Sequence, residues 1–324
     1  MRRAPPSLGA RRVAPADFDG RARALLPDRA RAYLALRSLM TARDLAGSGV
    51  PSGSSRSPEN AGNRKERPRA LTTWADPAVR GTQLATLRDG IATLPIAGIL
   101  EPEPSADAWL VGAVACTTVA ADLAALLAHP SVRAIVLSVD SPGGEVAGVH
   151  QLATQIFVAR PRLPIVAHVT GMATSAGYWI AAAAREVIAD PTAILGNVGT
   201  ILTFIDATDA EQAAGLRRIT LVASQSPRQA LDPATEAGRE DWQQALDGMA
   251  AVFLDDLARF RRMPRRTIAR AYGDGACFVG ASAVAVGLAD ATGTAQAVHT
   301  ALLAELAESG GAPPPSSSRT RKAL

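Results

Sequence analysis

The stretch GMATSAGYWIA, Gly171 to Ala181, follows the short apolar run PIVAHV, Pro164 to Val169. An unbroken apolar run of that length reads as a buried strand, and the run YWIAAAA reads as a helix. Ser175 then falls where strand gives way to helix, among Gly and Ala residues. Two readings fit a serine at such a junction. As a nucleophile it gains from small neighbours, which let a substrate backbone approach, and from a helix N-terminus, which favours developing negative charge. As a structural residue it caps the helix.

A second stretch repeats this grammar. VRAIVLSVDSPGGEVAGV, Val132 to Val149, holds an apolar strand (Ala134 to Val139), a Gly-rich turn and an amphipathic run. The turn SPGG, Ser141 to Gly144, can offer successive backbone N–H groups to an anion or oxyanion. It also suits a plain βα turn, with Pro for rigidity and Gly for positive φ. Taken together, the two stretches put two parallel strands, each ending in a small-residue turn about thirty positions apart, with donors beside a serine. Acyl transfer needs such a pairing.

SVDSPGG, GMATSAGYWIA, GNVGTI (Gly196 to Ile201) and GDGACFVGASAVAVGLAD (Gly273 to Asp290), in that order over about Gly90 to Asp290, resemble one known family. It is the serine peptidase family of signal peptide peptidase A and the phage head-maturation proteases of the protein C type. The resemblance implies an α/β, ClpP/crotonase-like fold of stacked ββα units, usually assembled as a homo-oligomeric ring. It implies a peptide or protein substrate, Ser175 as nucleophile, and an oxyanion hole to which the N–H groups of Gly143 and Gly144 contribute. For the phage branch it also implies capsid or scaffold proteins as partners.

Composition narrows the setting. Of 324 residues 48% are apolar but only 4% aromatic, so the core is built of Ala, Val, Leu and Ile. Two cysteines, Cys116 and Cys277, are too few for a disulfide framework or a zinc site, and read as small buried apolar residues in a reducing compartment. No metal or other cofactor is implied. No apolar run reaches the length of a membrane span, and no apolar stretch backs the basic start MRRAPPSLGARR. The expectation is a cytoplasmic protein, or a virion or procapsid component if phage-encoded. That leans away from the membrane-anchored signal peptide peptidases.

Charge divides the chain. Residues 1–70 carry 15 Lys or Arg against 6 Asp or Glu, whereas residues 71–310 carry 16 against 24. A largely disordered basic arm (1–70) therefore precedes a single catalytic domain (85–295), and GGAPPPSSSRTRKAL (310–324) reads as a disordered tail. Within the arm, Ala14 to Leu45 has the spacing of a short amphipathic helix, and Gly47 to Arg69 the composition of a linker. The arm lacks the interleaved aromatics of a single-strand binder, so no specific nucleic-acid partner is expected.

In the globular region, strands are expected over Gly90–Leu100, Ala134–Val139, Pro164–Val169, Glu186–Ala189, Ile201–Ile205 and Arg218–Val222. Helices are expected over Thr118–Ala128 and Ala207–Ala214, and through much of Pro233–Tyr272. Such alternation argues for an α/β domain.

A serine nucleophile needs a base. In the family this chain resembles, that base is a Lys, and the matching stretch LVASQSPRQALDP places Arg228 at its position. Guanidinium stays protonated and has no acceptor lone pair, so Arg228 cannot replace a neutral Lys. Three explanations stay open. Drift from Lys to Arg disabled the enzyme, in a chain whose only lysines are Lys65 and Lys322. Or His150, His168 or a neighbouring subunit's Lys65 serves as base. Or Arg228 survives as an oxyanion- or carboxylate-binding group in a non-cleaving capsid-associated or scaffold relative. A Ser-His-Asp arrangement is disfavoured because no His follows Ser175 until His299. A crotonase-type CoA enzyme shares the oxyanion logic but not the TSAGY, GNVGT and GLAD segments.

Overall fold

A computed structural model describes residues 23–25, 76–105, 112–204 and 206–308. The strands are β1 (Arg23–Leu25), β2 (Thr86–Arg88), β3 (Ile91–Ala97), β4 (Leu100–Glu101), β5 (Val114–Ala115), β6 (Ala134–Ser141), β7 (Gly143–Glu145), β8 (Ile165–Thr174), β9 (Glu186–Ala189), β10 (Ile194–Gly196), β11 (Cys277–Val279) and β12 (Ala291–Thr292). The helices are α1 (Cys116–Ala128), α2 (Val149–Ala159), α3 (Ala176–Ala182), α4 (Thr208–Ala213), α5 (Glu236–Arg261), α6 (Arg265–Tyr272), α7 (Ala281–Ala285) and α8 (Ala295–Glu308).

The main sheet runs β11-β10-β8-β6-β3-β2, with β3, β6 and β8 parallel at its centre. Strand β8 has two neighbours on its far side: its first half pairs with β9 and its last residues with β10. A small second sheet runs β1-β7-β4-β5. The chain thus passes repeatedly from a long strand through short strand pairing to a helix: β3, β4, β5, α1, then β6, β7, α2. This is the α/β, stacked ββα architecture expected from the sequence.

Why the central strands are uniformly apolar follows from what covers them. AIVLSVDS of β6 is buried at seven of its eight residues, because α1, α2 and α3 cover one face of the sheet and α8 the other. On the first side Leu94, Leu137, Ala167 and Tyr178 share a core with Leu123, Leu152 and Phe253. On the second, Ile91, Val136 and Val166 meet Val298, Leu302 and Leu306, which recur every fourth residue on α8. Val79, Leu302 and Leu306 are buried in these cores, so packed residues lie beyond both bounds of the 85–295 span.

Several expected elements differ. No strand longer than a single bridge forms over residues 201–204 or 218–222. The apolar run there faces outward, with Leu216, Ile219 and Leu221 60, 71 and 92% exposed. β-branched residues favour a strand only where a partner strand and a buried face exist. Inside the stretch read as an amphipathic helix, Arg23–Leu25 is instead strand β1, paired with β7. An open sheet edge supplies hydrogen bonds that outweigh marginal helix propensity in a short segment. The rest of the arm, with Lys65, and the tail lie outside the described residues. Cys116 is buried, and burial pushes its thiol up to about 12, but Cys277 stands exposed on β11 rather than buried.

Candidate active site

Strands β6 and β8 pair in register from Ile135–Ile165 to Val139–Val169, after which the register shifts and Ser141 pairs with Ala173. Thr170, Gly171 and Met172 therefore stand against Asp140 alone. A Cβ on Gly171 would lie 2.7 Å from the Asp140 carboxylate, so a larger residue in the bulge would have to displace that side chain. The bulge carries β8 five residues beyond the apolar run read as a strand, to Thr174, where Gly196 pairs with it. The Ser175 N–H then donates to Gly196 O at 2.8 Å.

Ser175 sits at φ 54°, ψ −122°, a conformation that L-residues rarely adopt. Such a backbone costs about 1–3 kcal/mol and persists only where its surroundings over-determine it. The residue is 1% exposed, yet it lines a cavity of about 260 Å³ together with Asn197, Thr200, Gly273 and Asp274. Its side chain makes no capping bond to α3, so the capping role is not what this geometry provides. Instead Oγ donates to Gly199 O, in GNVGT, at 3.3 Å.

The SPGG turn lies beside this junction. A Cβ on Gly177 would fall 2.8 Å from Ser141 O, so α3 packs directly on the end of β6. The Ser141 hydroxyl donates to Gly98 O at 2.7 Å and accepts from the Gly143 N–H at 3.2 Å. Gly143 has φ 102°, and a Cβ on Gly144 would lie 1.9 Å from Leu100 O. Neither position tolerates a side chain. Both glycines are buried, neither lines the Ser175 cavity, and β1 runs along them.

The distant GLAD segment is tied to the same junction. The Tyr178 hydroxyl, fully buried, donates to Leu288 O at 2.9 Å, and burial lifts its pKa well above the usual phenol value. Asp290 accepts from Val187 N–H and takes a two-pronged ion pair from Arg261. The closing segment thus locks α3, β9 and the end of α5 together.

The proposed bases lie elsewhere. His168 is 3% exposed on β8, its Nε2 donating to Gly293 O at 3.0 Å, and burial lowers its pKa. It is a satisfied core histidine. His150 Nδ1 lies 2.6 Å from Asp256, which also accepts from Trp179 Nε1 at 2.8 Å and Arg259 at 3.0 Å. That cluster joins α2, α3 and α5, and His150 does not line the serine cavity. Arg228, on the 3₁₀ turn Pro227–Ala230, has a side chain 70% exposed and an ion pair with Asp241, and it too is absent from the cavity.

Two lining residues escaped the sequence reading. Asn197 has φ 50° and turns the chain around the serine, a left-handed conformation that Asn tolerates. Asp274 brings the only carboxylate among the described residues that line the cavity. A signal existed for both, in the Gly-flanked runs GNVG and GDG. Among the described residues no three His, Cys, Asp or Glu side chains are grouped to hold a metal ion. No described helix is long and apolar enough to cross a membrane.

A parallel α/β sheet with a strained serine at the strand-to-helix junction places a hydroxyl at the wall of a cavity, an arrangement that suits nucleophilic chemistry. Comparison with known sequences makes this particular. Residues 159–308 match the model of Peptidase family S49. The match takes in Ser175 and Arg228 and begins after Gly143 and Gly144 of β7. The chain is 27% identical over 205 residues to the head-tail preconnector protein GP5 of Enterobacteria phage P21, covering 62% of this chain and 40% of that protein. It is 28% identical over 228 residues to the capsid assembly protease C of Escherichia phage lambda, covering 68% and 51%. It is 37% identical over 89 residues to Protease 4 of Salmonella typhi, covering 27% and 14%. The chain spans about half or less of the length of these relatives.

Proposed function

We propose that this protein is a serine endopeptidase that cleaves peptide bonds through an acyl-enzyme on Ser175. The observation that carries the reading is the strained Ser175, held at the end of β8 with its hydroxyl at the wall of a cavity. Attack of Oγ on a peptide carbonyl forms the tetrahedral intermediate, and loss of the amine leaves the acyl-serine, which water hydrolyses. The oxyanion would be held by the N–H groups of Gly143 and Gly144, the former exchanging its 3.2 Å bond to Ser141 for the substrate oxygen.

One observation favours a second reading. Among the described residues neither Lys nor His lines the cavity, and Arg228 is exposed and engaged by Asp241. In that reading the chain is a non-cleaving relative that serves capsid assembly. The exposed Leu216, Ile219 and Leu221 support burial of this face against another copy in a ring under either reading. Relatives named as a phage capsid assembly protease and a preconnector protein support capsid proteins as partners.

Incubation with a library of quenched fluorescent peptides separates the two. The peptidase reading expects cleavage that disappears in Ser175→Ala. Absence of cleavage by the wild type, with an intact fold, supports the second reading.

A further inference from the structure

Strand β1 is the one piece of the arm with a described conformation, and its position bears on the site. Its register sets Arg23 against Glu145, Ala24 against Gly144 and Leu25 against Gly143, antiparallel. On its other side β7 pairs in parallel with β4. Without β1, β7 would therefore be the edge strand of the small sheet, with unpaired N–H and C=O groups. The pairing runs along the glycines to which the oxyanion role is assigned above. Antiparallel direction takes β1 from Glu145 toward Gly143, the end of β7 that adjoins Ser141 and, through Gly177, the start of α3. Leu25 is thus the residue of β1 nearest the nucleophile's end of the strand.

An exposed edge with its glycines beside a nucleophile is an acceptor for an extended peptide, through main-chain hydrogen bonds that are indifferent to side-chain identity. We propose that Arg23–Leu25 is a tethered occupant of the β7 edge, holding it against an extended peptide that would pair with the same main-chain groups. This rests on reading Ser175 with Gly143 and Gly144 as the site. A tethered segment competes at an effective concentration set by the length of the joining chain, which gives it an advantage over an equally weak free peptide. A free peptide then binds with an affinity reduced by the fraction of molecules whose edge is open.

The test uses the full chain and an Ala24→Pro/Leu25→Pro variant, in which two successive residues lose their N–H donors and fit a paired strand poorly. The probe is a fluorescent synthetic peptide of residues 21–27. The variant is expected to bind the probe about tenfold more tightly than the wild type, as removing an occupant present nine times in ten would give. Amide exchange at Gly143–Glu145 is expected to quicken by a similar factor. In the wild type, protection there is expected to be independent of protein concentration. Fluorophosphonate labelling of Ser175 is expected to be faster in the variant.

Equal probe affinity with unchanged exchange overturns the proposal, and so does protection that grows with concentration, which would mean another copy's arm. If probe binding and exchange change but Ser175 labels in neither protein, the edge proposal stands and the peptidase reading falls. If Ser175 labels equally in both and exchange is unchanged, the peptidase reading stands and the edge proposal falls.

Discussion

Ser175 and Arg228 occupy opposite surroundings. Around Ser175, residues 172–184 are all buried, and the serine's own N–H and Oγ are fixed by Gly196 and Gly199. Around Arg228, nearly every residue from 206 to 232 is exposed, and the arginine's recorded partner is one carboxylate, that of Asp241. A strained backbone survives in the first region because packing on both sheet faces, the β8 bulge and the Tyr178–Leu288 bond all hold it. The second region has no comparable scaffold. Catalytic groups need positions held by locked neighbours. The chain therefore provides such a position for Ser175, the proposed nucleophile, and none in the segment that carries Arg228.

The difference can be broken first at the serine. Ser175→Ala is expected to reduce any peptidase rate by about 10⁴-fold or more while leaving the thermal transition intact, since the hydroxyl makes a single 3.3 Å bond. Loss of less than tenfold in kcat/KM would remove Ser175 from the chemistry.

Next comes the small-sheet glycine. Gly144→Ala drives a Cβ to within 1.9 Å of Leu100 O, a backbone atom that cannot swing aside. Denaturant titration should show a loss of about 3 kcal/mol or an unfolded product. A neutral effect would mean that β4 and β7 separate easily.

A smaller effect belongs to the lock between α3 and the closing segment. Tyr178→Phe leaves Leu288 O without its buried donor, and about 1–2 kcal/mol should be lost in the same titration.

Acidity gives a further contrast. His168 is kept neutral by burial, its pKa lowered from 6.5. As pH falls through about 6.5 the unfolded chain takes up a proton that the folded chain refuses. Stability therefore declines by up to ~1.4 kcal/mol per pH unit until the folded pKa is reached. Above pH 7 this group contributes no pH dependence. His168→Gln, which keeps a donor for Gly293 O, should flatten that part of the profile. An unchanged slope between pH 6.5 and 5 would show that His168 is protonated in the fold.

The smallest effect is expected at the exposed region. Arg228→Ala removes a solvent-screened pair and should move stability by no more than about 0.5 kcal/mol. A large loss would show that this segment is packed in solution.

Legibility followed the same divide. Strands β3, β6 and β8 and the serine at the junction were readable because burial on both faces writes a continuous apolar run, whereas the expected SPGG turn is a break at Pro142 between β6 and the short strand β7. The residues 218–222 carry a similar run, yet form no strand, because periodicity reports a preference for burial and not the identity of the partner that would satisfy it. The β8 bulge was invisible, since Gly171 reads equally as a turn residue. Strand β1 was missed because a three-residue pairing depends on a distant open edge rather than on local pattern. Asp274 became part of the site only when the turn before β11 was folded against GNVGT.

The most direct measurement is fluorophosphonate labelling of the purified protein, read by intact mass and peptide mapping, beside Ser175→Ala and Arg228→Ala. An activated nucleophile that does not depend on Arg228 gives one adduct, mapped to Ser175, in the wild type and in Arg228→Ala, and none in Ser175→Ala. A wild type that stays unlabelled, or an adduct that persists in Ser175→Ala, would contradict the assignment of this junction as the catalytic centre.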